Sequence, residues 1–438
     1  MMSNGRTRRR IATTVTALGA LALVAPPAHA AETAVPCDSA ALVQAIADAN
    51  ATSEPDTLSL AAKCVYTLTS AADATWKAGL PSIRGKLTVN GNHATIERAK
   101  DAPRFRIIFN WGDLTLNEVT IAGGQAPDGV GASSPGVGNP GESGGGIKNW
   151  GPLTITDSVI SGNSAGSGAP GAAATATTSA GSGGYGGSGG GISSYGSPQV
   201  TLTITRTSIT GNASGSGGQG GNGVAAKPGG QGGPAGFGAG VDALSGTVLR
   251  LTDSVVTGNG AGSGGKGGSG GAEGGGAGHG GSGGTAGGVM MSTSGGVLLN
   301  PVITRTTITG NQAGRGGDAG VAGPGGYSGI SGYGGRGGGV VVFDDSLTLD
   351  AATVSDNAAG EPGTGSYPSP ASGGGIHTIN AHVALVNGAV LSGNRPDNCT
   401  YTADVPGCVN GFRAVGATGQ DWRTAAERAV VSAARSRA

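Results

Sequence analysis

The stretch LTITDSVISGN, Leu153 to Asn163, returns as LTITRTSITGN, Leu202 to Asn212. A chain that keeps its apolar letters and its closing Gly-Asn from copy to copy has to be read as units that stack. Runs of this kind end at Asn163, Asn212, Asn259, Asn311, Asn357 and Asn394, the fifth with Asp in place of the Gly. Each is preceded by a glycine cluster closed by one aliphatic residue, namely Ile147, Ile192, Val241, Val289, Val340 and Ile376. From that aliphatic residue to the Asn the distance is 16 to 22 residues, so the units are nearly constant and the extra length lies between them.

Within a unit the pattern alternates with period two. Leu153 and Ile155 are apolar between Thr154 and Thr156, which is strand patterning. One such strand cannot bury a face alone, whereas copies stacked at strand spacing can. The expected fold is all-β, a parallel β-solenoid. Its inner rows are Leu153, Leu202, Leu249 and Leu347, then Ile155, Ile204, Leu251, Ile303 and Leu349. A third row, three residues before each Asn, is Ile160, Ile209, Val256, Ile308, Val354 and Leu391. Pro301 interrupts the first row, and HVALVNGAVLSGN, which closes the series, looks shifted by one residue; irregularity is expected at both.

The six asparagines form a structural turn ladder in this reading. Asn tolerates the left-handed backbone of a tight turn, and its amide can bond to copies above and below. A second column, six residues before each Asn, reads Asp157, Arg206, Asp253 and Arg305, continued by Glu118 on one side and by Ala351 and Gly388 on the other. Acids beside a basic residue are what a lyase or a hydrolase needs, so these four are the weak catalytic candidates. A ladder of alternating charge on the outside of the stack explains them more economically.

The first thirty residues read as an export signal. RTRRR is followed by an apolar segment, and Ala28-His29-Ala30 is a small-x-small cleavage pattern. The general secretory route is favoured over the twin-arginine one. Basic and acidic residues balance at 26 each, but the leader carries four arginines and no acid, which leaves 22 against 26 beyond it. Such a mildly acidic remainder gives no reason to expect nucleic acid as a partner. No membrane span is expected after signal removal, and the chain is expected to be a secreted monomer. The four cysteines fall in two distant pairs, Cys37 with Cys64 and Cys399 with Cys408. In an exported chain that split favours two local disulfides over a metal site, since neither pair has zinc-ligand spacing.

These residues resemble a family of secreted right-handed parallel β-helix proteins with polymorphic-outer-membrane-protein-like repeats, similar in fold to pectate lyases. The resemblance rests on GGGI followed by LTITDSVISGN and its copies, from Gly144 to Asn394. The opening C…LVQAIADAN…DTLSLAAKCVYTLT, Cys37 to Thr69, is similar to the CSLREA-like module that begins many such proteins, and GNRPDNC…PGC resembles their endings. The resemblance implies a right-handed winding and raises the enzyme hypothesis. Independently, Asp38 or Ser39 can cap a helix through Leu42, Val43, Ile46 and Ala49 that covers the open end of the stack. The expected division is a signal peptide at 1–30, an N-terminal cap at 31–80, the β-helix at 81–398, and a C-terminal cap and tail at 399–438. Lys86 to Glu97 and Arg106 to Gly124 supply further turns of the winding, and an alanine-rich helix is expected from Asp421.

Long glycine-rich inserts separate the units: Gly166 to Gly190, Ala213 to Gly240, Gly260 to Gly288, Gly314 to Gly339 and Ala358 to Gly375. They cannot bury enough apolar surface to offset chain entropy, which favours disorder or loose packing; extended layers packed backbone against backbone are the alternative. Motifs inside them are composition, not signal. GSGGYG at Gly181 to Gly186 lacks the strand-turn-helix of a dinucleotide site, Lys266 is followed by Gly267 where a phosphate loop needs Ser or Thr, and Asp318 stands alone. Asp344 and Asp345 would point to opposite faces of a strand, and His93, His279, His377 and His382 read as separate surface residues. No cofactor is expected. The leading functional expectation is a non-catalytic scaffold that binds an extracellular glycan or a cell-surface component. The alternatives are a polysaccharide lyase or glycoside hydrolase and a glycine-rich structural matrix protein.

Overall fold

The computed structural model describes residues 32–410 apart from 134, 197–199, 294–297 and 369–371. The expected leader and the helix from Asp421 therefore lie outside the described residues. Within them the chain is all-β except for one helix, Ser39–Ala49. Its two main sheets are parallel throughout.

Each repeat contributes one strand to a seven-stranded sheet and two strands to a larger one. In the first full unit these are Ile147–Asn149, then Leu153–Thr156 and Val159–Ser161. The strands land on their copies in register. Leu153 faces Leu202 and Leu202 faces Leu249; Ile155, Ile204, Leu251, Ile303 and Leu349 follow one another in the same way. The glycine-cluster aliphatics stack likewise, Ile147 through Ile192, Val241, Val289 and Val340 to Ile376, all without exposed surface. A strand face that alternates inward and outward buries one residue in two, and burying each Leu or Ile is worth roughly 1.5 to 3 kcal/mol.

Both expected irregularities have simple causes. Proline cannot donate to the ladder, and the strand Val302–Thr304 starts only after Pro301, whereas the strand below it spans Thr247–Thr252. In the last unit Val386 pairs with Asp350 and Val390 with Thr353, so the turn Asn387–Ala389 holds one residue more than its partner.

The asparagine ladder is built, with one change in its physics. Asn163 Nδ2 donates to Asn212 Oδ1 at 3.0 Å, Asn212 to Asn259 at 2.9 Å, Asn259 to Asn311 at 2.9 Å, Asn311 to Asn357 at 3.0 Å and Asn357 to Asn394 at 2.9 Å. Each Nδ2 also donates to a backbone carbonyl, and each Oδ1 from Asn212 onward also accepts a backbone N–H from the copy before it. The left-handed residue is not the Asn, as expected, but the residue before it: Gly162, Gly211, Gly258, Gly310 and Gly393 have φ between 62° and 64°, and Asp356 has φ 54°. That lets the Asn keep an ordinary backbone and turn inward, where all six are buried. Asn398 adds a seventh rung, accepting from Asn394 Nδ2 at 2.9 Å.

Asp38 caps the helix by accepting from the N–H groups of Ala40 and Ala41, and Leu42, Ile46 and Ala49 face the core. Val43 is half-buried and packs against the edge of that core. The strands Asp56–Leu60 and Val65–Leu68 already pair with Lys86–Arg98, so the stack begins before residue 81. Disulfides Cys37–Cys64 and Cys399–Cys408 close the two ends.

The inserts at 166–190, 213–240, 260–288 and 314–339 are ordered, and each runs out and returns as two extended legs with a three-residue hydrogen-bonding period; Gly360, Gly363 and Ser366 pair with the same period in the last insert. Gly217, Gly220 and Gly223 donate to Ser263, Lys266 and Ser269 of the next insert. Gly215, Gly218 and Gly221 donate to Gly187, Gly184 and Gly181 of the one before. Three residues per turn is the polyproline-II period, in which the backbone makes no bonds within itself and must find partners in other legs. The legs approach so closely that a Cβ on Gly215 would lie 1.8 Å from the Gly166 carbonyl oxygen. The expectation of disorder is thereby corrected: the entropy argument weighed apolar burial only, and backbone bonding with close contact supplies the compensating term.

Candidate functional site

Asp157, Arg206, Asp253 and Arg305 sit at the corner between the paired strands of successive units, each with a left-handed backbone at φ 51°, 47°, 49° and 43°. For residues other than glycine that conformation costs about 1 to 2 kcal/mol. A second ladder holds it in place. Ser158, Thr207, Ser254 and Thr306 follow the corner residues, are buried, and return their hydroxyls to Thr156, Thr205, Thr252 and Thr304 carbonyls. The same hydroxyls accept N–H groups of the neighbouring unit. This hydroxyl row was readable in the sequence as the Ser or Thr after each charged residue.

The corner column contains Glu118, and it ends on Asn387 (φ 52°) beside Ala351, not on Gly388, because of the extra residue in the last turn. Its charges are paired two by two. Arg206 Nε and Nη2 donate to Asp157 Oδ1 and Oδ2, both at 2.7 Å, and Arg305 does the same to Asp253 at 2.7 and 2.8 Å. The fork raises the Arg206 and Arg305 guanidinium pKa values, chiefly through those hydrogen bonds, and lowers that of Asp253 through its bond to Arg305. His93 stands 3.8 Å from Glu118 at the end of the column. Together His93, Glu118, Asp157, Arg206 and Asp253 line an open depression of about 470 Å³. Both oxygens of Asp157 and of Asp253 accept from a guanidinium, so in this arrangement the carboxylates act as ion-pair partners that brace the corner.

The other candidates separate. Asp345 is buried and its Oδ1 accepts the N–H groups of Leu299, Asn300 and Ser346, while Asp344 is exposed. His377, expected on the surface, is buried and bonded to Thr400 Oγ1 at 2.8 Å; burial lowers its pKa to about 4. Thr400, the Tyr401 ring and the glycines Gly337 and Gly373 enclose it; the glycine clusters of the other units stand over the outer face of the seven-stranded sheet in the same way. Asp318 has partners, Arg315 at 2.6 Å and the Thr364 N–H at 2.8 Å.

The same covering buries a polar column that the sequence reading missed. Lys148, Ser193 and Asp242 are register partners on three successive strands, and Lys148 Nζ donates to Ser193 Oγ at 3.0 Å. Asp242 is without exposed surface, and desolvation pushes its pKa up to about 7, although Lys148 pulls the other way. In the window between ordinary carboxylate values and pH 7 the unfolded chain releases this proton and the folded chain keeps it. Stability therefore falls as pH rises through that window. Urea unfolding of wild type and Asp242→Asn from pH 4 to 8 is expected to show this loss only in the wild type; an equal slope in both would remove Asp242 as its cause.

The glycine layer presents its remaining side chains in rows. Every third residue of the outgoing leg carries a side chain, as with Ser216, Gln219 and Asn222; Gln219 and Asn222 are exposed, while Ser216 Oγ and Asn222 Oδ1 accept the N–H groups of Ser263 and Ser269 on the next insert. On the returning legs Tyr185, Pro234, Ser282 and Tyr333 occupy one register, and the rings of Tyr185 and Tyr333 stay exposed at 61 % and 53 %. Lys227 ties two insert tips together by donating to the Thr175, Ala176 and Thr178 carbonyls. Among the described residues no helix is long and apolar enough to cross a membrane. The chain matches no protein-family model, no curated protein and no solved structure.

Proposed function

We propose that this chain is an exported right-handed parallel β-helix of the kind built from polymorphic-outer-membrane-protein-like repeats. It works as a non-catalytic scaffold for an extracellular glycan or a cell-surface component. The observation that carries this reading is the glycine layer: rows of side chains fixed on a backbone array braced leg to leg. Binding to such a surface spends little conformational entropy, because the presenting backbone is already ordered. Two disulfides are compatible with an oxidising, extracellular setting.

Two experiments test the reading. Labelled protein spanning 31–438 should bind envelope polysaccharide or whole cells. Replacing Tyr185, Tyr333 and Phe237, the last 38 % exposed on the returning leg of the 213–240 insert, by Ser should weaken that binding about tenfold or more; unchanged binding would reject the layer as the contact surface. The enzyme alternative predicts turnover of uronate polymers, with or without calcium. Turnover abolished by Asp157→Ala and Arg206→Ala would sink the scaffold reading.

A further inference from the structure

The fourth position of each strand in the seven-stranded sheet forms a column that the glycine layer leaves uncovered. Tyr195, Leu244, Ser292, Phe343 and Ile379 are register partners along it. Trp111 and Trp150 extend it, one residue past the paired Asn110 and Asn149. Trp111 and Tyr195 keep 40 % and 43 % of their surface in water. Trp111 meets Trp150 edge to face at 4.2 Å between ring centroids, and Trp150 lies 6.4 Å from Tyr195. Behind them Trp76 stacks on Phe109 at 4.5 Å and touches both tryptophans. The outer rings are thus held in fixed orientations.

Packing alone does not account for these side chains. The Trp150 indole N–H is buried and meets no acceptor among the described residues, a penalty that a phenylalanine would not carry. Aromatics are only 4 % of the chain, yet three of its four tryptophans gather here.

We infer that this stripe is a binding site for a linear, neutral, β-linked polysaccharide lying along the stacking direction. The inference rests on the scaffold reading above and places a ligand on a different surface of the same scaffold. Aromatic faces carry negative charge density that attracts the C–H groups of a pyranose face. Units advance about 4.8 Å per strand, close to the advance of one sugar in an extended β-linked chain, so successive side chains of the stripe, with rings at Trp111, Trp150, Tyr195 and Phe343, meet successive sugars. The stripe carries no ionised side chain, which selects against uronates. It is also one residue wide. A stable protein interface buries about 800 Å² per partner, more than a single file of side chains offers, whereas a polymer one sugar wide needs no more.

The test uses the protein spanning 31–438 with cellohexaose, N-acetylchitohexaose and, as the acidic comparison, a hexagalacturonate, read by tryptophan fluorescence and calorimetry. A neutral hexamer should bind and quench fluorescence. Trp111→Ala and Tyr195→Ala, both at exposed positions, should each weaken it by about tenfold with circular dichroism unchanged. Binding of neither neutral hexamer, preference for the uronate, or equal affinity in both variants would overturn the site. So would a dimer seen in sedimentation that Tyr195→Ala dissociates, since the stripe would then be a self-association face. Loss of cell binding on changing Tyr185, Phe237 and Tyr333, with Trp111→Ala silent, would reject the stripe and leave the scaffold reading standing.

Discussion

Asn259→Ala should lower stability by about 3 to 5 kcal/mol, far more than the loss of one polar side chain from a surface turn. Asn259 Oδ1 accepts both the backbone N–H and the amide of Asn212, at 2.9 Å each. Its Nδ2 donates to the Ile209 carbonyl and to Asn311 Oδ1, at 3.0 and 2.9 Å. Alanine orphans donors on one side and acceptors on the other, all buried at a corner water does not reach. Asn259→Asp separates the ladder from simple turn propensity. Aspartate fits a turn as well as asparagine does but cannot donate, and it buries a charge; it should be at least as damaging as alanine. Urea unfolding of the three proteins decides the matter. If Asn259→Asp proved nearly neutral, the corner would need only a turn former and the ladder would carry no weight.

What could be read in the sequence was whatever one unit shows by itself. The inward rows follow from period two in LTIT, and the pairs Leu153 with Leu202 and Ile155 with Ile204 follow from aligning copies. The helix before the stack is signalled by Asp38 ahead of Leu42 and Ile46. The corner charges were placed in one column because their distance to the Asn is constant, and Arg206 on Asp157 is the contact that column implies. The left-handed residue was misassigned because Gly and Asn both accept that backbone. Only the inward hydrogen bonds of Asn163 show that the glycine takes the strain and the amide takes the core.

What stayed hidden depends on how inserts meet one another. No single glycine tract states where its legs turn, and the burial of Asp242 and His377 follows from how one unit lands on the next, with Gly238 over Asp242 and Gly337 and Gly373 against His377. The aromatic stripe was hidden for the same reason. Trp111, Trp150 and Tyr195 lie in segments of different length, and only the register of the seven-stranded sheet brings them into one file. Ordering a residue costs roughly 1 to 2 kcal/mol, and glycine has no side chain whose burial could offset that. A glycine leg instead satisfies both its N–H and its C=O on neighbouring legs, each bond worth about 0.5 to 1.5 kcal/mol net.

That accounting makes Gly265 the sharpest test of the layer. Its N–H donates to the Gly233 carbonyl at 2.8 Å, its own carbonyl accepts from Gly281 at 2.8 Å, and a Cβ there would sit 1.8 Å from the Gly218 oxygen. Backbone cannot rotate away as a side chain would, so Gly265→Ala has to part three legs. Overpacking of this kind costs about 1 to 3 kcal/mol or more. The cost should fall locally: amide exchange in 215–236, 262–284 and 314–335 should quicken about a hundredfold, while the asparagine-ladder strands stay protected. Lys266→Ala is the matched control, one residue on, with an exposed side chain that leaves the leg contacts intact. Exchange that rises equally in both variants, or in neither, would mean that the glycine legs do not hold one another. If instead the ladder strands lost protection together with the legs in Gly265→Ala, layer and sheets would unfold as one cooperative unit. The inserts would then be part of what keeps the stacked sheets closed, and not a surface added to them.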